Sequence, residues 1–176
     1  PTRAGFLTCL RQMGGNVKVI GEREEFGELR GDIEVESSSL QGVKIGKDLV
    51  PLLIDEIPII AVLAAKARGT TIISGAEELR VKETDRLKAI AQGLKTLGAE
   101  VEEREDGLLI QGPCVFQGGR VNSYGDHRIA MSLVVAGITG ERDLVVEDID
   151  CVKISYPGFF SDLEKIGYKE WEIRER

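Results

Sequence analysis

The feature that most limits how this chain can fold is a segment pattern that recurs along it: amphipathic helix, glycine, strand. It appears in "FLTCLRQMGGNVKVI", in "LKAIAQGLKTLGAEVEERE" and in "FFSDLEKIGYKEWEI". In each, an apolar residue leads into Gly14, Gly98 or Gly167, the expected glycine after a helix C-terminus. A short strand follows. A second pattern occurs twice: acid, apolar helix, glycine, apolar strand. Its copies are "DEIPIIAVLAAKARGTTIISG", opened by Asp55, and "DHRIAMSLVVAGITGERDLVVED", opened by Asp126. These helices are apolar nearly all round and so are expected to be buried.

Laid end to end, the patterns predict one complete βαβαββ unit. It runs from strand "GVKIG" through helix 55–67, strand 70–74 and helix 83–97 to strands 100–104 and 108–111. A second unit runs from "GRVNS" through helix 127–137, strand 143–147 and helix 157–166 to strand 168–173, without a last strand. A first begins only at its second helix. Such periods mark duplicated supersecondary units, and the fold class is α+β, a mixed α/β chain. Opening on Pro1 inside a helix-like stretch, the chain is expected to be incomplete, its missing strands and helix supplied by sequence outside this window.

Composition narrows the function classes. With 42% hydrophobic and 30% charged residues this is an ordinary globular sequence. A net charge of −7 argues against nucleic acid or an anionic membrane as the main partner, though not against a local basic pocket. The apolar runs are too short to span a bilayer. Cys9, Cys114 and Cys151 are scattered and without a CxxC, as in a reduced cytoplasmic protein. His127 is the single histidine, so no zinc-type cluster is expected.

Two helix starts carry charges of the wrong sign. "RVKETDRL" holds Arg80, Lys82 and Arg86. On a helix beginning near 82, Lys82 and Arg86 are neighbours at the positive end of the dipole, each contact costing about 0.3–1 kcal/mol. A bound anion would reverse the sign, and helix N-termini offer free N–H groups for it. The plainer alternative is that Glu83 and Asp85 offset the cations while Arg80 meets solvent. "GDHRIAM" repeats the pattern: Asp126 suits an N-cap, and His127 and Arg128 fill the first turn. In "IDEIP", Asp55 and Glu56 suit capping at a third helix start, or a carboxylate at the same cleft able to exchange a proton. The whole constellation suits a small, strongly anionic substrate and proton transfer.

These strings resemble a known family. "LRVKETDRLKAIAQGLKTLGAEVE" with "GDHRIAMS" is similar to the carboxyl half of the 5-enolpyruvylshikimate-3-phosphate synthase family, and "PTRAGFLTCLRQMG", "DEIPIIAVLAAKARGTTIISGAEELR" and "SYPGFF" follow in that family's order. The resemblance implies a pseudo-threefold array of βαβαββ units. Residues 1–176 would form most of one domain of a two-domain enolpyruvyl transferase, lacking the other domain and an amino-terminal segment. It implies transfer of enolpyruvyl from phosphoenolpyruvate to the 5-hydroxyl of shikimate 3-phosphate, without metal or organic cofactor, in a monomeric full-length cytoplasmic enzyme inhibited by glyphosate. By the match, Asp55 deprotonates the hydroxyl, Lys82 contacts it and phosphoenolpyruvate, and Glu83 protonates the methylene carbon. Arg86 and Arg128 clamp the phosphoenolpyruvate carboxylate, with His127 beside the acid. Two positions depart from the pattern. Glu78 stands where some members have an asparagine touching shikimate 3-phosphate. Ile154 stands where some have a lysine that contacts phosphoenolpyruvate; either Lys153 substitutes or the contact is missing. The isolated chain is expected to be inactive. The alternatives are the sister UDP-N-acetylglucosamine enolpyruvyl transferase and a non-catalytic anion-binding domain.

Overall fold

Two apolar helices and one amphipathic helix organise the core. In the computed structural model, which describes residues 4–168, α2 (Ile57–Lys66) buries Ile57, Pro58, Ile60, Ala61, Val62, Ala64 and Ala65. Burial on every side is what its near-absence of polar residues demands, and Pro58 in the first turn costs no hydrogen bond there. Helix α4 (His127–Ile138) packs on α2 and buries Ile129, Ala130, Leu133 and Ala136. Helix α3 (Arg86–Thr96) packs on both through Leu87, Ile90, Ala91 and Leu94. Gly93 lets α3 approach α4 closely, since a Cβ there would stand 2.6 Å from Leu133 Cδ2.

The predicted complete unit is present. Strand β3 (Lys44–Ile45) leads through α2 to β4 (Gly69–Ile73), which lies parallel beside it. Helix α3 then leads to β5 (Glu100–Arg104) and β6 (Gly107–Gly112), an antiparallel hairpin. Because β6 also pairs antiparallel with β4, the sheet order is β3-β4-β6-β5. The register sets Ile72 opposite Leu109 and Val101 opposite Ile110. Ile73, Val101, Leu108 and Ile110 are buried. Gly107 is needed at the hairpin because a Cβ would fall 1.9 Å from the Ile73 carbonyl oxygen.

The next unit repeats the crossover: β7 (Gly119–Asn122), α4 and β8 (Leu144–Glu147), again parallel. The single helix expected at 157–166 is α6 (Phe159–Lys165), preceded by a short α5 (Cys151–Ser155) that the sequence reading did not separate. Both pack with Ala130 in a small second cluster of Val152, Phe159 and Leu163. The strand expected at 168–173 lies, from Lys169 on, outside the described residues.

The first helix is α1 (Gly5–Gln12), followed by β1 (Asn16–Glu25) and β2 (Glu28–Glu36). A short strand was expected here; β1 is ten residues long and folds back as a ribbon. Charge hid the pattern: "EREEFGELRGDIEVE" shows little alternation. The turn residues Phe26 and Gly27 both have positive φ, at 53° and 79°, which suits a two-residue hairpin loop. All of β2 is exposed, although its Ile33 and Val35 face Val19 and Val17 across the ribbon.

Candidate active site

The segment 80–86 is an arch clamped at both ends. At its start, Arg80 donates from Nε to the Glu105 carbonyl oxygen at 2.6 Å and from Nη2 to the Arg104 carbonyl oxygen. Its Nη1 reaches Glu103 at 2.9 Å and Asp85 at 2.8 Å. The hydrogen bond to Glu103, reinforced by Asp85, raises the guanidinium pKa further. Of the plainer alternative, Asp85 and Glu83 do offset cations of the segment, but Arg80 does not simply meet solvent: it ties the arch to the β5–β6 turn.

Helix α3 does not begin near 82. Asp85 is its N-cap, accepting from the Lys88 amide at 3.0 Å, and Arg86 is the first helical residue. Lys82 is extended, with ψ near −158°. Asp85 carries the stronger start signal because its short side-chain carboxylate accepts from one of the orphan amides of the first turn, which Lys82, a donor only, cannot do. Hence Lys82 and Arg86 are not neighbours in one helical turn, and the dipole argument applies to Arg86 alone. Lys82 and Glu83 project from the arch, the Glu83 side chain 52% exposed.

Arg86 is nearly fully buried and is surrounded by carboxylates. Its Nε donates to Asp126 Oδ2 at 2.7 Å, its Nη1 to Asp55 Oδ1 at 3.1 Å, and its Nη2 to Glu83 Oε2 at 2.6 Å. Three charge-assisted hydrogen bonds make this burial tolerable. Carboxylates of the chain itself already balance the charge of Arg86.

Asp126 is itself fully buried and serves two helices. Its Oδ1 caps α4, accepting from the Arg128 and Ile129 amides at 2.8 and 3.2 Å, while Oδ2 holds Arg86. The expected N-cap is present; its second role is a tertiary fact. Asp55 and Glu56 lie in a 3-10 turn (Ile54–Glu56) just before α2, and Glu56, at the N-cap of that helix, makes no side-chain capping hydrogen bond. Both carboxylates enter ion pairs. Besides meeting Arg86, Asp55 accepts from Arg128 Nη1 through its carbonyl oxygen at 3.1 Å and lies 3.6 Å from Arg128 Nη2 through Oδ2.

The starts of α2, α3 and α4 thus converge on Asp55, Arg86 and Arg128, and all three positive dipole ends meet at one place. Of the sequence-expected residues, Asp55, Glu83, Arg86 and Arg128 are joined by direct contacts. Lys82, exposed, and His127, half-buried at the first position of α4, make no ion pair or side-chain hydrogen bond among the described residues. Glu78 is exposed on the 3-10 turn Glu77–Val81. Lys153 lies exposed on α5, and the ion pair found for it is with Asp150 at 2.8 Å. Ile154 beside it is exposed. Hollows of about 300 and 210 Å³ run along α3 around Gln92 and Tyr124, beside the arginine cluster rather than over it. Among the described residues no group of three or more His, Cys, Asp or Glu side chains is placed to hold a metal ion. No described helix is long and apolar enough to cross a membrane.

Two helix-start acids have partners that local spacing does not show. Glu56 approaches Arg128 Nη1 at 3.6 Å through Oε1, and Asp126, besides capping α4, holds Arg86. The signal for both was their place at a helix start beside a residue already singled out.

Comparison with solved structures first defines the class. The chain matches the enolpyruvyl transferase NikO from Streptomyces tendae with a TM-score of 0.72 at 21% identity, over 95% of this chain and 36% of that one. The fold is therefore that of the enolpyruvyl transferases. EPSP synthase from Acinetobacter baumannii matches more closely, with a TM-score of 0.90 at 39% identity, over 94% of this chain and 39% of that one. The family model for EPSP synthase (3-phosphoshikimate 1-carboxyvinyltransferase) matches residues 1–163, and the chain belongs to that family. Relatives named 3-phosphoshikimate 1-carboxyvinyltransferase are 48% identical in a Sulfurihydrogenibium species and 51% identical in a Synechococcus species. Each alignment covers 94% of this chain but only 38% and 37% of the relative, so the chain spans little more than a third of their length.

Proposed function

We propose that this chain forms part of one domain of a two-domain 3-phosphoshikimate 1-carboxyvinyltransferase, and that its three converging helix starts make one wall of the active site. The observation that carries the reading is the meeting of Arg86, Arg128 and Asp55, with Lys82 and Glu83 projecting beside them. The substrates are phosphoenolpyruvate and shikimate 3-phosphate, and the product feeds chorismate and aromatic amino acid biosynthesis. The enzyme works in the cytoplasm as a monomer and is inhibited by glyphosate.

In the reaction, Asp55 takes the proton of the 5-hydroxyl as its oxygen bonds to C2 of phosphoenolpyruvate, while Glu83 gives a proton to C3. Protonation at C3 builds positive charge at C2, so an acid is needed beside the anion clamp. The tetrahedral adduct then loses the C3 proton and expels phosphate with the C–O bond electrons. Lys82 supports the hydroxyl and the phosphoenolpyruvate oxygens as a point charge. Arg128, with His127 nearby, offers a planar fork suited to a carboxylate. Arg86 takes part either by contacting the carboxylate with its remaining N–H bonds or by holding Asp55 and Glu83 in place. Glu78 faces the shikimate 3-phosphate side, and Lys153 substitutes for the lysine expected at 154. With about a third of its relatives' length, the chain alone is expected not to turn over.

The test is phosphate release by the enzyme carrying this chain, supplied with phosphoenolpyruvate and shikimate 3-phosphate. Turnover with UDP-N-acetylglucosamine and none with shikimate 3-phosphate would overturn the assignment.

A further inference from the structure

The geometry points to Glu56 as a positioning residue that holds Arg128 in place and weakens its grip on an incoming anion. This rests on the enolpyruvyl-transfer reading for the identity of that anion, phosphoenolpyruvate. Arg128 is the less buried of the two clustered arginines, its side chain 31% exposed against 2% for Arg86. Among the described residues its guanidinium makes one hydrogen bond, from Nη1 to the Asp55 carbonyl oxygen. Its two carboxylate neighbours, Asp55 Oδ2 and Glu56 Oε1, both stand 3.6 Å away, beyond hydrogen-bond range. The guanidinium is thus held by charge while most of its five donors stay unspent. Those donors are what an anion would use.

The two carboxylates are not equivalent. Asp55 is tied to Arg86 by a hydrogen bond and already has that cation. Glu56 has Arg128 as its ion-pair partner, and its other oxygen, Oε2, is buried without a hydrogen bond among the described residues. An under-satisfied carboxylate beside a half-free guanidinium competes with any anion for the same charge. Around the two arginines stand four carboxylates, those of Asp55, Glu56, Glu83 and Asp126. Glu56 is the one not held by Arg86, so neutralising it shifts the local charge without loosening that buried arginine.

The experiment uses the enzyme carrying this chain, with Glu56→Gln, Arg128→Ala and the double variant. Calorimetry reads phosphoenolpyruvate Kd in the presence of shikimate 3-phosphate, and phosphate release reads KM and kcat. Glu56→Gln is expected to lower the Kd and KM for phosphoenolpyruvate by about two- to fivefold, the range of a partly exposed ion pair. The shift falls on KM rather than kcat, and the KM for shikimate 3-phosphate stays put. In the Arg128→Ala background the same change is expected to do nothing. Should Glu56→Gln not fold, Glu56→Asp withdraws the carboxylate by one methylene and is expected to move Kd in the same direction by less. An unchanged or raised Kd in whichever variant folds refutes the proposal, as does an equal shift without Arg128. A wild type that shows the Kd shift on mutation but no turnover refutes the reaction and leaves Glu56 standing. A wild type that turns over with no Kd shift refutes Glu56 alone.

Discussion

Asp126 gives the sharpest test of how the site is held together. One carboxylate, fully buried, caps α4 with Oδ1 and binds Arg86 Nε with Oδ2 at 2.7 Å. Asp126→Ala removes both contacts. Loss of the cap costs about 1 kcal/mol. Loss of a charged partner from a buried guanidinium costs about 1.5–3 kcal/mol. Together they amount to about 2.5–4 kcal/mol, or a drop of roughly a hundred- to a thousandfold in the ratio of folded to unfolded protein. The cost stays below that of stripping Arg86 entirely, because Asp55 and Glu83 still hold its Nη atoms. Asp126→Ser separates the two parts, since serine still caps but is too short to reach Arg86. It is expected to recover about 1 kcal/mol relative to alanine and no more. Urea unfolding of the protein carrying this chain, with the slope checked for constancy, measures both variants. If serine restores wild-type stability, the Arg86 contact carries no weight and the account of the buried hub is wrong. If alanine costs under about 1 kcal/mol, the double role of Asp126 is wrong altogether.

Three further outcomes are expected. Glu83→Gln and Asp55→Ala should each cut turnover by about 10²–10⁴-fold, and because Glu83 is half exposed its variant should change stability by no more than about 1 kcal/mol; a collapse of the unfolding midpoint with turnover per folded molecule unchanged would assign them a structural role instead. Burial pushes the Cys9 thiol from the usual 9.0 up to about 11. Folding therefore favours the neutral thiol, a contribution intact below pH 9.0 and lost as pH climbs through about 11; iodoacetamide at about pH 8 should leave Cys9 unlabelled in the native protein, and labelling as fast as in urea would contradict its burial. Gly107→Ala drives a Cβ to 1.9 Å from the Ile73 carbonyl oxygen, a backbone atom that cannot swing aside, so it should destabilise by about 1–3 kcal/mol or more by urea unfolding; a neutral result would mean the β4–β6 register is not the one described.

Much of the architecture is legible from periodicity. The helix-glycine-strand repeat around Gly98, the helix before Gly167, the apolar helices after Asp55 and Asp126, and the β5–β6 hairpin all appear, with α3 starting three residues later than expected. The misses have local causes. The ribbon β1–β2 is long, exposed and charged, so burial imposes no alternation on it. Helix α5 is a single short turn, too brief to show a period. At the site, the sequence points to Asp55, Glu83, Arg86 and Arg128 as companions through two anomalous helix starts. It could not reveal that Arg80 anchors the arch from the β5–β6 turn, because that contact joins residues more than twenty positions apart.

The sequence by itself determined the helices and strands that repeat along the chain, and that cations would stand near the positive ends of two helices. Both follow from local spacing, since side-chain periodicity and the helix dipole act over one or two turns. Only the tertiary structure decided what balances those cations. Arg86 sits among three carboxylates drawn from 83, 55 and 126, while Arg128 keeps most of its donors unspent. The physical reason is that electrostatic partners are chosen by distance in space, and the packing of α2, α3 and α4 sets those distances.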